Sequence, residues 1–148
     1  MTKLQAIREF CSFVCEQKIV FARNKYKDNN NWGMDIDDKN PRLVLPAQFP
    51  SSFDNADKMF RKDFIQRCPL AKGFSHITLT LLHECGHWAT RSVFDVVESE
   101  KIEKKAKSDE DYMQMPWEQL ATQWAICWLH SPANRQMAKR FERNYFDY

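Results

Sequence analysis

Glycine is nearly missing from this chain, with three residues in 148. That is too few and too scattered for a loop that cradles a nucleotide phosphate. No apolar run is long enough to span a bilayer, and no secretory signal pattern opens the sequence. A large excess of charge of either sign is missing as well. A formal net charge of +2 gives no field that would draw the protein to DNA or to an anionic membrane. The cysteines number five, at positions 11, 15, 68, 85 and 127. An odd count without a signal peptide points to reduced thiols and a cytoplasmic protein. Cys11 and Cys15 are spaced i, i+4, but no second pair follows at ligand spacing, so they read as small apolar core residues.

What is present is the composition of a globular protein: 43% hydrophobic and 14% aromatic. At 148 residues the chain reads as one domain, 1–148, long enough to bury a real core. Residues 3–22 put Leu4, Ile7, Phe10, Cys11 and Val14 on one face of an amphipathic helix. The character then changes. Asn29–Asn31, Gly33, Asn40, Pro41, Pro46 and Pro50 punctuate the next stretch and leave short strands expected at 32–36 and 42–45. Its "DIDDKN" hints at a calcium loop. Counting from Asp35, however, Asn40 stands where glycine is needed and Pro46 where glutamate is needed, which excludes an EF-hand.

Helical spacing returns over 54–67, with Ala56, Met59, Phe60, Phe64 and Ile65 as its apolar positions. Ser75 is a good N-cap for a helix "HITLTLLHECGHWATRSVF" that is apolar nearly all round, as a central buried helix should be. Residues 98–111 carry ten charged side chains of both signs and read as a solvated helix or a mobile loop. Pro116 opens a further helix, and Ser131-Pro132 caps a last one ending in "NYFDY". The expected class is α+β, mostly helical, with a small sheet.

The chemistry is concentrated in "LLHECGHWAT", residues 81–90. His83 and His87 lie four apart, on one helical face, where two imidazoles can share one metal ion. Glu84, one residue on from His83, points beside that pair and could deprotonate a water without ligating the metal. Chance alone would give this spacing in roughly 0.6% of shuffled chains of this composition, so the remaining sequence has to decide. Zinc requires a third protein ligand and an open fourth position. His76 is two turns before His83, about 10 Å along the helix, too far to share the ion. His130 stands at a helix end and reads as a cap or solvent contact. Glu118 is the candidate: it sits in the first turn of an otherwise apolar helix, with Ala121 and Ala125 on its own face. Small residues there would let this helix pack closely on the histidine helix. The plainer reading is that Glu118 merely complements the helix N-terminus.

"LLHECGHWAT", followed 31 residues after His87 by "EQLATQWA", resembles the zinc metallopeptidases of the ImmA/IrrE family. Those pair a His-Glu-x-Gly-His helix with a later helix reading roughly Glu-x-x-Ala-x-x-Phe-Ala. Gly86 matches the family's glycine, Cys85 replaces its usual aliphatic residue, and Trp124 stands in the place of the phenylalanine. The resemblance covers about residues 75–130. It implies a minimal zincin-like fold, Zn2+ held by His83, His87 and Glu118, and Glu84 as general base. The family often carries a helix-turn-helix domain and cleaves repressors; no stretch of this sequence fits such a domain. "HECGHWAT" is also similar to the zincin-like domain of ArdC-type antirestriction proteins, so a phage or mobile-element origin suits either likeness.

The expected function is therefore a zinc-dependent metallopeptidase acting on a protein or peptide. Tyr112 is a candidate donor to the oxyanion, although an ordinary surface tyrosine is the plainer reading. The 32–45 region could present a strand edge to an extended substrate. The alternative is an antirestriction or nucleic-acid-associated protein that uses the same fold without proteolysis. Arg135, Lys139, Arg140 and Arg143, with Phe141, Tyr145 and Phe146, would then touch phosphates and stack bases. A solvated basic face with its aromatics in the core is the plainer reading of those residues.

Overall fold

The computed structural model describes residues 1–23, 31–36, 39–51, 59–94 and 96–147. Helix α1, Lys3–Cys15, starts at a capping box: the Thr2 side chain accepts from the Gln5 amide, and the Gln5 side chain accepts from that of Thr2. Ala6, Ile7, Phe10, Cys11 and Val14 form its buried face, whereas Leu4 is exposed. The helix does not run to residue 22. Glu16 takes a left-handed conformation at φ 54° and turns its N–H back to the carbonyls of the last turn. The chain beyond then extends as β1, Val20–Arg23.

Strands β2, Gly33–Asp35, and β3, Arg42–Leu45, fall where expected. The sheet order is β1-β3-β2, with β1 parallel and β2 antiparallel to the central β3. Leu43, opposite Phe21 and Met34, is fully buried and ties the sheet to the helices. Helix α2, Met59–Arg67, falls within the expected 54–67 span; residues 52–58, including Ala56, lie outside the described residues. Phe64 carries its core contact, while Met59 is exposed.

Helix α3, His76–Ala89, follows a short 3-10 turn over Pro69–Gly73. Ser75 caps it as expected, its hydroxyl accepting from the Thr78 amide. It stops at Ala89 rather than running to 94, and residues 91–93 form turns. Ten of its residues are buried, because α6 (Pro116–Leu129), α1, α7 (Pro132–Phe146), α2 and β2 all pack around it. The buried Glu142 of α7, Pro132–Phe146, anchors its N-terminus by accepting from the Ser75 amide (2.6 Å) and the Thr78 hydroxyl (2.7 Å). A carboxylate there also meets the positive end of the helix dipole.

The charged stretch forms two short helices, α4 at Val96–Glu103 and α5 at Asp109–Met113, joined by a non-helical link over 104–108. Pro116 opens α6, Pro116–Leu129, and Ser131 caps α7. The architecture is α+β and mostly helical. Among the described residues, no helix is long and apolar enough to cross a membrane.

Candidate metal centre

The centre is built where α3 and α6 meet. Gly86 makes the approach: a Cβ at that position would stand 2.4 Å from the Ala121 carbonyl oxygen. With Ala121 and Ala125 both fully buried, the two helices approach backbone to backbone at Gly86 with nothing bulky between them. One turn toward the start of α6, that closeness brings Glu118 against the histidines.

His83, Glu84 and His87 offer ligand atoms that all lie within 4.8 Å of one another, a group that could hold a metal ion. Glu118 reaches in from α6. Its Oε1 lies 3.0 Å from His83 Nε2 and its Oε2 2.8 Å from His87 Nε2, so one carboxylate spans both imidazoles. All four side chains are largely shielded from solvent. The rings of His83 and His87 stand edge to face, 4.7 Å between centroids, and Phe60 closes the outer side of His83 at 5.1 Å.

The electrostatics separate the two carboxylates. Burial pushes Glu84 up to about 8, outweighing the nearby His87. Glu118 is buried too, yet its hydrogen bonds to His83 and His87 hold it down at about 2. Burial also opposes charge on both histidines. It lowers His83, whereas in His87 the hydrogen bond to Glu118 and the charges of Glu84, Glu118 and Glu103 override it and raise the group to about 9. A cationic His87 thus donates to an ionised Glu118, and His83 is neutral.

A neutral His83 has one ring proton, and Nε2 donates it to Glu118. Its Nδ1 then accepts from the hydroxyl of Thr122, 2.9 Å away and 4% exposed. If Nε2 instead faces a cation, the proton moves to Nδ1 and is donated to the same oxygen. A hydroxyl serves either tautomer. Two imidazoles, a carboxylate held ionised, and a fixed ring orientation form a donor set that could hold a metal ion.

Thr122 lies four residues after Glu118, on the same face of α6. That spacing was a usable signal, and sequence reasoning passed over it. Glu103 was hidden in the charge run; it accepts a hydrogen bond from Trp117 Nε1 and its charge acts on both His87 and Glu118. Tyr112 is 40% exposed, but its phenol hydrogen-bonds Glu118; burial and the surrounding carboxylates raise its pKa.

The other expectations separate cleanly. His76 is on α3 beside Phe60, remote from the pair, and its Nε2 lies near the Thr80 hydroxyl. His130 ends α6 with its Nδ1 2.8 Å from the Ile126 carbonyl, a helix-end contact. Phe141 and Tyr145 are buried in the core, so neither ring is available to stack a base. Of the cations beside them, Arg140 pairs with Glu9, Lys139 with Glu142, and Arg135 donates to the Leu129 carbonyl.

Two cavities flank the centre. One of about 230 Å³ runs along Trp32–Met34 and Ile36 toward Arg91, Phe94 and Trp117. The other, about 850 Å³, opens past Phe60 and Thr80 toward Lys107 and Met113. Trp32, Glu84, Glu103, Tyr112 and Glu118 line both, so the centre lies where the two meet. Comparison of the chain with protein-family models, curated proteins and solved structures gives no significant match to any of them.

Proposed function

We propose that this chain is a zinc-dependent metallopeptidase of minimal zincin type, the class that the ImmA/IrrE-like motifs imply. One observation carries the reading: Glu118, from a second helix, touches the same two Nε2 atoms that a His-Glu-x-x-His helix offers to a metal. His83, His87 and Glu118 are assigned as the ligands. Glu84 is left as the base, because it is the carboxylate held near neutrality and Glu118 the one held ionised. When bound, zinc supplies Lewis-acid activation of water and of the scissile carbonyl.

The side chains around it do the rest. A Glu84 carboxylate oxygen accepts the proton of the attacking water and returns it to the leaving nitrogen. Thr122 holds the His83 ring in register. Tyr112, lining both cavities beside Glu118, supplies a phenol that stays protonated and can donate to the developing oxyanion. Strand β2 ends the described sheet and borders the smaller cavity, which favours an extended peptide lying beside it.

The test is metal content together with proteolysis of a mixed peptide pool, with and without chelator, in the parent and in Glu84→Gln. One zinc per chain in both proteins, with chelator-sensitive cleavage in the parent only, is expected. Cleavage that survives in Glu84→Gln would remove the assigned base, and a parent without stoichiometric zinc would end the reading.

A further inference from the structure

Where the two cavities meet, one charged group among the described residues is not used by the metal centre. Of the five residues common to both cavities, Glu84 and Glu118 belong to the centre, and Trp32 and Tyr112 are neutral. Glu103 remains. It is the last residue of α4, and its Oε1 accepts the indole hydrogen of Trp117, the residue before Glu118. That bond fixes the carboxylate at the junction of the two cavities. Among the described residues, no lysine or arginine pairs with it.

The other charges in the cleft are committed or peripheral. Asp63 faces Arg67. Arg91 donates to the Trp88 carbonyl and places its guanidinium over the Trp88 ring, 3.7 Å from its centroid. Glu100, Lys107 and Asp109 are exposed at the rim. A dication balanced by the carboxylates of Glu84 and Glu118 is neutral overall, so among the described residues Glu103 is left as the uncompensated negative charge where the two cavities meet. Burial and the Glu118 charge make that carboxylate hold its proton more tightly than usual, and an adjacent cation would relieve this cost.

We infer that Glu103 is the specificity-determining residue of the cleft and binds a cationic group of the substrate, either a peptide's N-terminal ammonium or a basic side chain next to the scissile bond. The inference rests on the metallopeptidase reading. Trp117 holds one oxygen and leaves the charge free to face a ligand, so the tryptophan orients Glu103 without neutralising it.

Four hydroxamates separate the two sources, since each offers zinc the same chelating group. Lysine hydroxamate carries both cations, Nα-acetyl-lysine hydroxamate the side chain only, norleucine hydroxamate the α-ammonium only, and Nα-acetyl-norleucine hydroxamate neither. Their dissociation constants are measured by calorimetry on zinc-loaded parent, Glu103→Gln and Trp117→Phe, with zinc content determined on the same samples. In the parent, at least one singly charged probe should bind at least about tenfold more tightly than the uncharged one. In Glu103→Gln, which keeps an oxygen for the indole, that ratio should fall toward one. Trp117→Phe, which keeps the charge and loses the donor that orients it, should weaken the preference without abolishing it as Glu103→Gln does. A parent that loads zinc but binds all four probes alike overturns this inference alone, as does a Glu103→Gln that keeps the preference. A parent that loads no zinc overturns the metallopeptidase reading beneath it.

Discussion

Gly86 of α3 lies so close to the backbone of α6 that a methyl group on it would stand 2.4 Å from the carbonyl oxygen of Ala121. The contact is with backbone, which cannot rotate away, so the helices themselves must separate. Their separation also sets the reach of Glu118 to His83 and His87. Alanine gains about 1 kcal/mol over glycine in a helix interior, and overpacking of this kind costs about 1–3 kcal/mol or more. Gly86→Ala should therefore melt lower than the parent despite its better helix propensity, and should bind zinc more weakly. Thermal melts with zinc titration check both; a variant more stable than the parent would show that the interface yields.

Thr122→Val removes the hydroxyl and keeps the shape. His83 Nδ1, buried beside it, then has no partner in either tautomer. Zinc affinity should fall about 10–100-fold, the usual worth of a partner that orients a ligand. Thr122→Ser should retain most of it. Equal affinities in the valine and serine variants would show that the 2.9 Å contact has no part in binding.

Glu118 separates ligation from helix capping. As a first-turn dipole partner alone, its replacement by glutamine would cost about 1 kcal/mol at most and leave zinc in place. As a ligand, it loses the charge that zinc requires while keeping its size. Glu118→Gln and Glu118→Ala should both weaken zinc binding more than Thr122→Val does. Zinc titration of the three variants side by side gives the order, and a Glu118→Gln that binds like the parent would exclude the carboxylate as a ligand.

How far these features were legible varies with how local their causes are. The α3 site was readable because a metal pair on a helix is written as a four-residue spacing, and Ser75 and Pro116 mark helix starts by their own side-chain chemistry. The end of α1 was not. Helices commonly stop at glycine, but here Glu16 takes the left-handed position, so nothing in the sequence announces the turn. The Ile19-Val20-Phe21 run then satisfies a helix or a strand equally well, and pairing with β3, a long-range event, decides. Glu103 failed for the same reason. In a run of ten charges nothing distinguishes the one carboxylate that an indole 14 positions later draws into the cleft, an interval that only the tertiary fold closes.

The same segment gives a prediction in dynamics. Residues 98–113 are mostly exposed, and no side chain of α5 is buried. Little apolar burial opposes the entropy of ordering them. Their amides should exchange faster than those of α3 and α6 under native conditions. Protection equal to α3 across the stretch would show that it is held as firmly as the buried helices.

The last prediction concerns pH, and each group's sign has to be followed separately in the metal-free protein. Glu118, lowered from 4.5 to about 2, contributes stability that is present above pH 4.5 and lost as pH falls through 2. His83, lowered by burial, adds stability above 6.5 that is lost on acidification. The two raised groups act in the opposite direction. Glu84, raised from 4.5 to about 8, and His87, raised from 6.5 to about 9, lose their contributions as pH climbs through those values. Between pH 6.5 and 9 only this second pair is still changing, so chelated protein should melt progressively lower over that window. Zinc must displace the His87 proton to use its Nε2, and a nearby dication favours ionised Glu84. Binding at pH 7 should thus release at least about one proton per zinc, seen as a heat that depends on the buffer's ionisation enthalpy. The stabilisation that zinc gives at fixed free concentration should accordingly grow from pH 6.5 to 9, as fewer protons remain to be displaced. A zinc-induced melting shift that is flat over this range, with no buffer dependence of the binding heat, would show that the metal does not occupy the His83–His87–Glu118 centre.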